Sequence, residues 1–129
     1  MDNVEQRFSL RHICMADALQ YADQDHELLR QLAELFLSEG PNQIAAVNRS
    51  LDTGDYAQAA RAAHTLKGSI SALAAEAIHQ RARQVESLLR RQAETGDGGQ
   101  DWLPQWTHLQ REVAELHGEA KQIADGLAS

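Results

Sequence analysis

Apolar residues recur along the chain at alternating steps of three and four, the spacing that places them on one face of an α-helix. The longest such run closes the chain, with Leu103, Trp106, Leu109, Val113, Leu116, Ala120, Ile123 and Leu127. Two shorter runs precede it: Ala59, Ala63, Leu66, Ile70 and Leu73, and then Ile78, Ala82, Val85, Leu89 and Gln92. No alternation of period two persists, so the pattern predicts helices and no sheet.

The first half of the chain predicts a helix with an interruption. Its apolar positions are Leu28, Leu29, Leu32, Leu35 and Phe36, followed by Ile44, Val47 and Leu51. Gly40-Pro41 lies between the two groups, and proline removes a backbone donor and restricts the preceding residue. We therefore expect either a kinked helix or two helices nearly end to end. Upstream, Leu10 to Tyr21 predicts a short covering helix, with Cys14 as a small buried hydrophobic residue.

Polar residues suited to capping precede three of the helices, namely Asp23 or Asp25, then Asp55, and finally Asp101. Four substantial amphipathic helices with short connections predict an all-α fold, an antiparallel up-down four-helix bundle with an additional short N-terminal helix. A coiled-coil dimer is the alternative, but loops interrupt the pattern too often for long heptads, so we expect a monomer. We assign residues 1–9 to a flexible tail and 10–127 to one bundle domain.

Composition narrows the classes of function. The net charge of −7 disfavours nonspecific binding to nucleic acid. No apolar run reaches the 18 or more residues of a membrane span, and acidic residues near the start do not fit a signal peptide. The single Cys14 cannot form an internal disulfide, which agrees with a reducing cytoplasm. We therefore expect a cytoplasmic protein without a membrane segment.

The helix of the second run carries the candidate chemistry. At about 100° per residue, His64 lies roughly 140° from the centre of the apolar stripe and should face water. Arg61 and Lys67 flank it, and Ala60 and Gly68 lie one turn to either side. A glycine inside a helix costs about 1 kcal/mol relative to alanine, which suggests close approach of a partner. From spacing alone, a tolerated glycine beside an ordinary surface histidine remains an equal alternative.

The segment His64-Thr65-Leu66-Lys67-Gly68-Ser69 resembles the His-x-x-Lys-Gly-[Ser/Ala] signature of histidine phosphotransfer (HPt) domains. The likeness extends to residues 18–29, 35–37 and 78–86, and covers roughly residues 10–125. The resemblance implies that His64 carries a phosphoryl group on a ring nitrogen and exchanges it with an aspartate of a receiver domain. Lys67 would favour the negative charge of that group. The residues expected to bind the partner are Ala60, Arg61, Gly68, Ser71 and Arg90.

Two positions depart from the family pattern. The turn after the His64 helix, which should end near Leu73, commonly has glycine where this chain has Ala74. If that turn needs a positive φ, alanine costs about 1 kcal/mol or more. Glu86 aligns with a polar residue, often glutamine, that faces the histidine in the family. An acid beside a phosphate is unfavourable, which makes a role for Glu86 at the site doubtful. The alternative is a surface ion pair of Glu86 with Arg90, four residues on.

The resemblance implies a phosphorelay. The receiver domain of a hybrid sensor kinase would donate to His64, and that of a response regulator would accept. Mg²⁺ is expected on the receiver, and no cofactor on this chain. Because no ATP-binding motif is present, the protein would be a phospho-carrier and not a self-sufficient enzyme. The alternatives are a helical-bundle adaptor that binds signalling partners without phosphate, and a metal-binding bundle.

Overall fold

A computed structural model describes residues 8–96 and 99–128. These residues form five helices: α1 (Met15–Tyr21), α2 (His26–Asp52), α3 (Tyr56–Ser71), α4 (Glu76–Thr95) and α5 (Trp102–Gly126). The described part of the chain contains no strand, so the predicted all-α fold is confirmed. None of its helices combines the length and the apolar character needed to cross a membrane.

Helices α2 to α5 form a ring in which each packs against the next and α5 packs against α2. Their one-sided apolar stripes meet in a single core, because a lone amphipathic helix of this length is marginal in water. The largest fully buried side chains come from all four helices: Trp106, Phe36, Leu29, Leu66, Ile70, Ile78, Leu89, Leu109, Leu116 and Ile123. Helix α1 lies against α2, as the predicted covering helix.

Helix α2 runs unbroken through Gly40-Pro41, so the expectation of two separate helices is wrong. Pro41 removes one hydrogen bond, but Phe36 and Val47 on either side of it are both buried in the core. Packing along the 27-residue helix therefore outweighs the local break. Two other residues of α2, Leu28 and Leu35, were placed with the core by their spacing but are 39% and 56% exposed.

The predicted caps are confirmed at two of three helices. The side chain of Asp25 accepts a hydrogen bond from the backbone N–H of Leu28, and Asp55 accepts one from Gln58. Each satisfies a backbone donor that has no partner inside the helix. Asp101 occupies the N-cap position of α5 but makes no capping hydrogen bond, because its backbone is already in the α-region at φ −58° and ψ −27°.

The segment before α1 is held by a buried acid. Glu119 of α5 accepts hydrogen bonds from three successive backbone N–H groups, those of Arg11, His12 and Ile13. Because Glu119 holds this backbone, α1 begins only at Met15, later than the predicted Leu10. Cys14 is consequently the exposed N-cap residue of α1, and the expectation that it is buried is wrong.

The same segment crosses the end of the bundle where α3 turns into α4. The backbone N–H of Cys14 donates to the carbonyl oxygen of Ala74, which has the positive φ of +56° considered from the sequence. Of the tail predicted over 1–9, residues 1–7 lie outside the described residues. Ser9 exchanges two hydrogen bonds with Gln122 of α5, so the packed chain begins before residue 10.

Candidate functional site

Helix α3 presents His64 to solvent. The Asp55 cap sets the start of the helix, and its apolar stripe is buried against the other helices. The His64 side chain, on the opposite side, is 63% exposed. The orientation predicted from helical spacing is therefore confirmed.

Glu86 of α4 connects His64 to two cations. Its carboxylate lies 3.1 and 3.2 Å from Nδ1 of His64, 2.8 Å from Nζ of Lys67 and 2.6 Å from an Nη of Arg90. The Glu86 residue is only 8% exposed. The pair with Arg90 is thus part of a four-residue cluster, which we call the Glu86 cluster, and not an isolated surface ion pair.

The charge of Glu86 is maintained by its partners. Burial raises the pKa of this carboxyl, but hydrogen bonds from Lys67, His64 and Arg90 outweigh burial and lower the pKa from 4.5 to about 2. Glu86 is therefore ionised at neutral pH. Its negative charge stands beside the two positive charges of Lys67 and Arg90, so these three groups sum to +1.

The cluster also assigns the proton on the imidazole ring. An ionised carboxylate can only accept hydrogen bonds, so Nδ1 of neutral His64 must carry the proton that it shares with Glu86. The lone pair then resides on Nε2, which makes no hydrogen bond to the described residues. The exposed nitrogen of His64 is thus the nucleophilic one.

Other predicted site residues lie around His64 with different degrees of exposure. Gly68 is exposed, and a Cβ built on it would meet no atom within 4 Å. Ser71 is exposed and donates a hydrogen bond to the carbonyl oxygen of Gly68, while exposed Arg61 donates two to Gln58. Gly68, Ser71 and Arg61 therefore share the solvent-facing side of α3 with His64.

The prediction for Ala60 is wrong. It was expected on the exposed face, but only 2% of it is accessible. The stripe spacing places it about 100° from the stripe centre, on the side where α4 packs. Ala60 forms the floor of a shallow groove between α3 and α4, flanked by Arg61 and Arg90. It shapes the surface but offers a partner almost no contact area.

Sequence reasoning left Glu86 open, although it is the residue most closely associated with His64. Helical spacing puts it roughly 80° from the centre of the α4 stripe, at the edge of the buried face. Lys67 lies at a similar angle from the apolar stripe of the preceding helix α3. An acid and a base at the edges of two neighbouring helices indicate an ion pair between them, and this is how the role of Glu86 could have been predicted from the sequence. Within the described ranges, no group of three or more His, Cys, Asp or Glu residues is arranged to hold a metal ion.

Comparison with known proteins agrees with this geometry. The family model of the Hpt domain matches residues 31–123, which include His64, Lys67 and Glu86. No curated protein and no solved structure matches the chain. The family match spans most of the 129 residues. The chain therefore belongs to the Hpt domain family, whose members serve histidine phosphotransfer in two-component signalling as phospho-carrier modules without catalytic machinery of their own.

Proposed function

We propose that this protein relays a phosphoryl group through Nε2 of His64 between the receiver domains of a hybrid sensor kinase and a response regulator. The observation that carries the proposal is the pairing of His64 Nδ1 with Glu86, which leaves Nε2 without a hydrogen bond to the described residues on a side chain that is 63% exposed. The relay would take place in the cytoplasm, with the protein acting as a monomer.

In the transfer step, the lone pair of Nε2 attacks the phosphorus of an aspartyl phosphate on the donor receiver. The P–N bond forms as the P–O bond breaks, and the aspartate leaves as a carboxylate with the electron pair. The ring gains positive charge, which Glu86 stabilises through the Nδ1–H hydrogen bond. Reversing these steps on a second receiver returns the electron pair to Nε2 and restores the neutral imidazole.

The partner completes the chemistry in this proposal. The oxygens of Glu86 are already occupied by His64, Lys67 and Arg90, so they make a poor ligand set for a cation. Mg²⁺ is therefore assigned to the acidic pocket of the receiver, where it neutralises charge on the transferring phosphoryl group. What this chain supplies is the position, the tautomer and the accessibility of His64.

The proposed docking surface combines the exposed side of α3 with the neighbouring part of α2. Asn42 of α2 lines one groove with Arg61 and Thr65 of α3. Leu35 lies seven residues before Asn42, hence on the same side of α2, two turns along. Because α2 and α3 are antiparallel, this exposed leucine flanks the stretch of α3 that follows His64. Its apolar surface and the charge of Arg61 would both be covered by a receiver.

The experiment is phosphorylation of the wild type, His64→Ala and a control, His26→Ala, by a phosphorylated receiver and separately by phosphoramidate. His26 is an exposed histidine at the start of α2, outside the proposed docking surface. We expect acid-labile, alkali-stable phosphate on the wild type and on His26→Ala and none on His64→Ala. Helix content by circular dichroism should be equal in all three.

NMR of the labelled protein locates the phosphoryl group. A group on Nε2 is the expected result, since Nδ1 is engaged by Glu86. Labelling of His64→Ala would remove His64 from the proposal. A wild type that binds receivers but takes no phosphate would instead favour the adaptor function.

A further inference from the structure

We propose that Glu86 keeps the phosphoryl group on His64 short-lived, because it holds the two cations of the site away from that group. This inference rests on the proposed function and extends it, from where the phosphoryl group is carried to how long it stays. The hydrogen bond that position 86 accepts from Nδ1 stabilises the ring, and a glutamine there would keep it. What the acid adds is its hold on the two cations, and that hold sets how readily the phosphoryl group leaves.

The contacts of the Glu86 cluster carry the argument. Lys67 Nζ lies 2.8 Å from one carboxylate oxygen, and the Arg90 guanidinium lies 2.6 Å from the other. Glu86 is nearly buried and fixed by these contacts, whereas the Arg90 side chain is 53% exposed. The exposed Arg90 side chain could therefore turn towards a phosphoryl group on His64. In the wild type its charge is instead paired with the buried carboxylate of Glu86.

The charges around the ring show what the acid changes. Besides the ring, the Glu86 cluster sums to +1, and a phosphoryl group adds a charge between about −1.5 and −2. With glutamine in place of Glu86 the same groups would sum to +2 before phosphorylation, enough to match the phosphoryl charge. The amide oxygen of glutamine still accepts a hydrogen bond from Nδ1, so this substitution changes charge while it keeps the ring position.

The affected step is cleavage of the P–N bond. The electron pair of that bond returns to Nε2, Nδ1 keeps its proton, and phosphorus forms a bond to the oxygen of water or of a receiver carboxylate. When water is the acceptor, its proton passes to solvent. Without a receiver, cations beside the phosphoryl group attract its charge more strongly in the phosphorylated state, where that charge is concentrated, than in the loose transition state, where it is spread. Such cations therefore slow cleavage of the P–N bond. Glu86 withholds those cations.

The test is the half-life of phosphorylated His64 in the isolated protein, after labelling with phosphoramidate and removal of the donor. Glu86→Gln should lengthen the half-life by about tenfold, the effect of one charge interaction at a partly water-facing site. The matched control is Glu112→Gln. Glu112 is paired with Arg81, and its side chain is 12% exposed against 11% for Glu86, but it lies on α5. The half-life of phosphorylated His64 in Glu112→Gln should equal that in the wild type.

A second substitution tests whether the freed cation is the cause. In the Glu86→Gln protein, Arg90→Ala should shorten the half-life again by several fold. The same change in the wild type should have a smaller effect, because Arg90 is there engaged by Glu86. This coupling between the two positions is a readout that a purely structural role of Glu86 would not produce.

Melting temperatures are measured first, and Glu86→Met serves as a second charge-free variant if Glu86→Gln does not fold. A half-life of a folded, charge-free variant equal to or shorter than that of the wild type would overturn the inference. So would an unchanged half-life when Arg90 is removed from Glu86→Gln. If His64 of the wild type takes no phosphate from any donor, the proposed function fails. That result differs from the two half-life outcomes, which would overturn only the inference about Glu86.

Discussion

Substituting Gly68 by glutamine separates the stability of α3 from its use as a docking surface. Gly68 is in the last turns of α3, it is exposed, and a Cβ added there meets nothing within 4 Å. Replacing such a glycine by a good helix former removes a cost of up to about 1 kcal/mol. For a protein of this size, the melting temperature should rise by roughly 2–6 °C.

Phosphotransfer from a receiver should move in the opposite direction. The glutamine side chain projects from the face of α3 that presents His64, so a receiver that packs there is held away from the ring. Displacement of the reacting groups by about 1 Å can cost on the order of a hundredfold in rate. We expect a loss of that order with receivers, whereas phosphoramidate, which needs only the exposed ring, should label Gly68→Gln as fast as the wild type.

Gly118 supplies the matched control. It is also an exposed glycine inside a helix with no atom within 4 Å of an added Cβ, but it belongs to α5, which does not present His64. Gly118→Gln should raise the melting temperature similarly and leave transfer unchanged. Wild-type transfer by Gly68→Gln would refute the docking surface. A lower melting temperature would show that the glycine serves the fold instead.

Three further predictions concern Glu86, Lys67 and Ala74. Folding lowers the pKa of Glu86 from 4.5 to about 2, so its ionised form contributes about 3 kcal/mol to the free energy of unfolding. This contribution should be present above pH 4.5 and lost as the pH falls towards 2. In acid titrations followed by circular dichroism, Glu86→Gln should lack this loss. Lys67→Ala should slow receiver-dependent transfer by less than about tenfold in stopped assays, since its charge mainly serves Glu86, and a loss of several orders of magnitude would contradict this. Ala74→Gly should change the free energy of unfolding by less than about 1 kcal/mol. Glycine relieves the strain of the positive φ, but it loses the burial of the alanine methyl group and gives the unfolded chain more freedom. Ala74→Val should destabilise the protein by more than about 1 kcal/mol in urea melts, because a β-branched residue tolerates a positive φ poorly.

Features that depend on a few neighbouring residues were predictable from the sequence. The Asp25 and Asp55 caps are local hydrogen bonds, and the exposure of His64 follows from helical geometry and one apolar stripe. Each of these is fixed within about one turn of helix, so no knowledge of the packing was required.

Features that depend on contacts between distant segments were not predictable in the same way. Nothing near Arg11 in the sequence shows that Glu119 will bind three backbone N–H groups and delay the start of α1. Ala60 was misplaced because a stripe gives the centre of a buried face but not its width, which depends on how α4 packs beside α3. Leu35 shows the opposite error. The apolar residues of α2 cover a wider arc there than the face that is actually buried, so Leu35 lies outside the buried face.

The Glu86 cluster shows how the two kinds of information combine at the candidate site. His64 and Lys67 are one turn apart on α3, so their proximity was evident, and Glu86 and Arg90 are one turn apart on α4. What joins the two pairs is the antiparallel packing of α3 on α4, which brings an acid between two cations and a histidine. Viewed on its own helix, the acid would oppose a phosphoryl group. In the packed bundle the acid is paired with Lys67 and Arg90, and its hydrogen bond with Nδ1 places the lone pair of the neutral ring on Nε2.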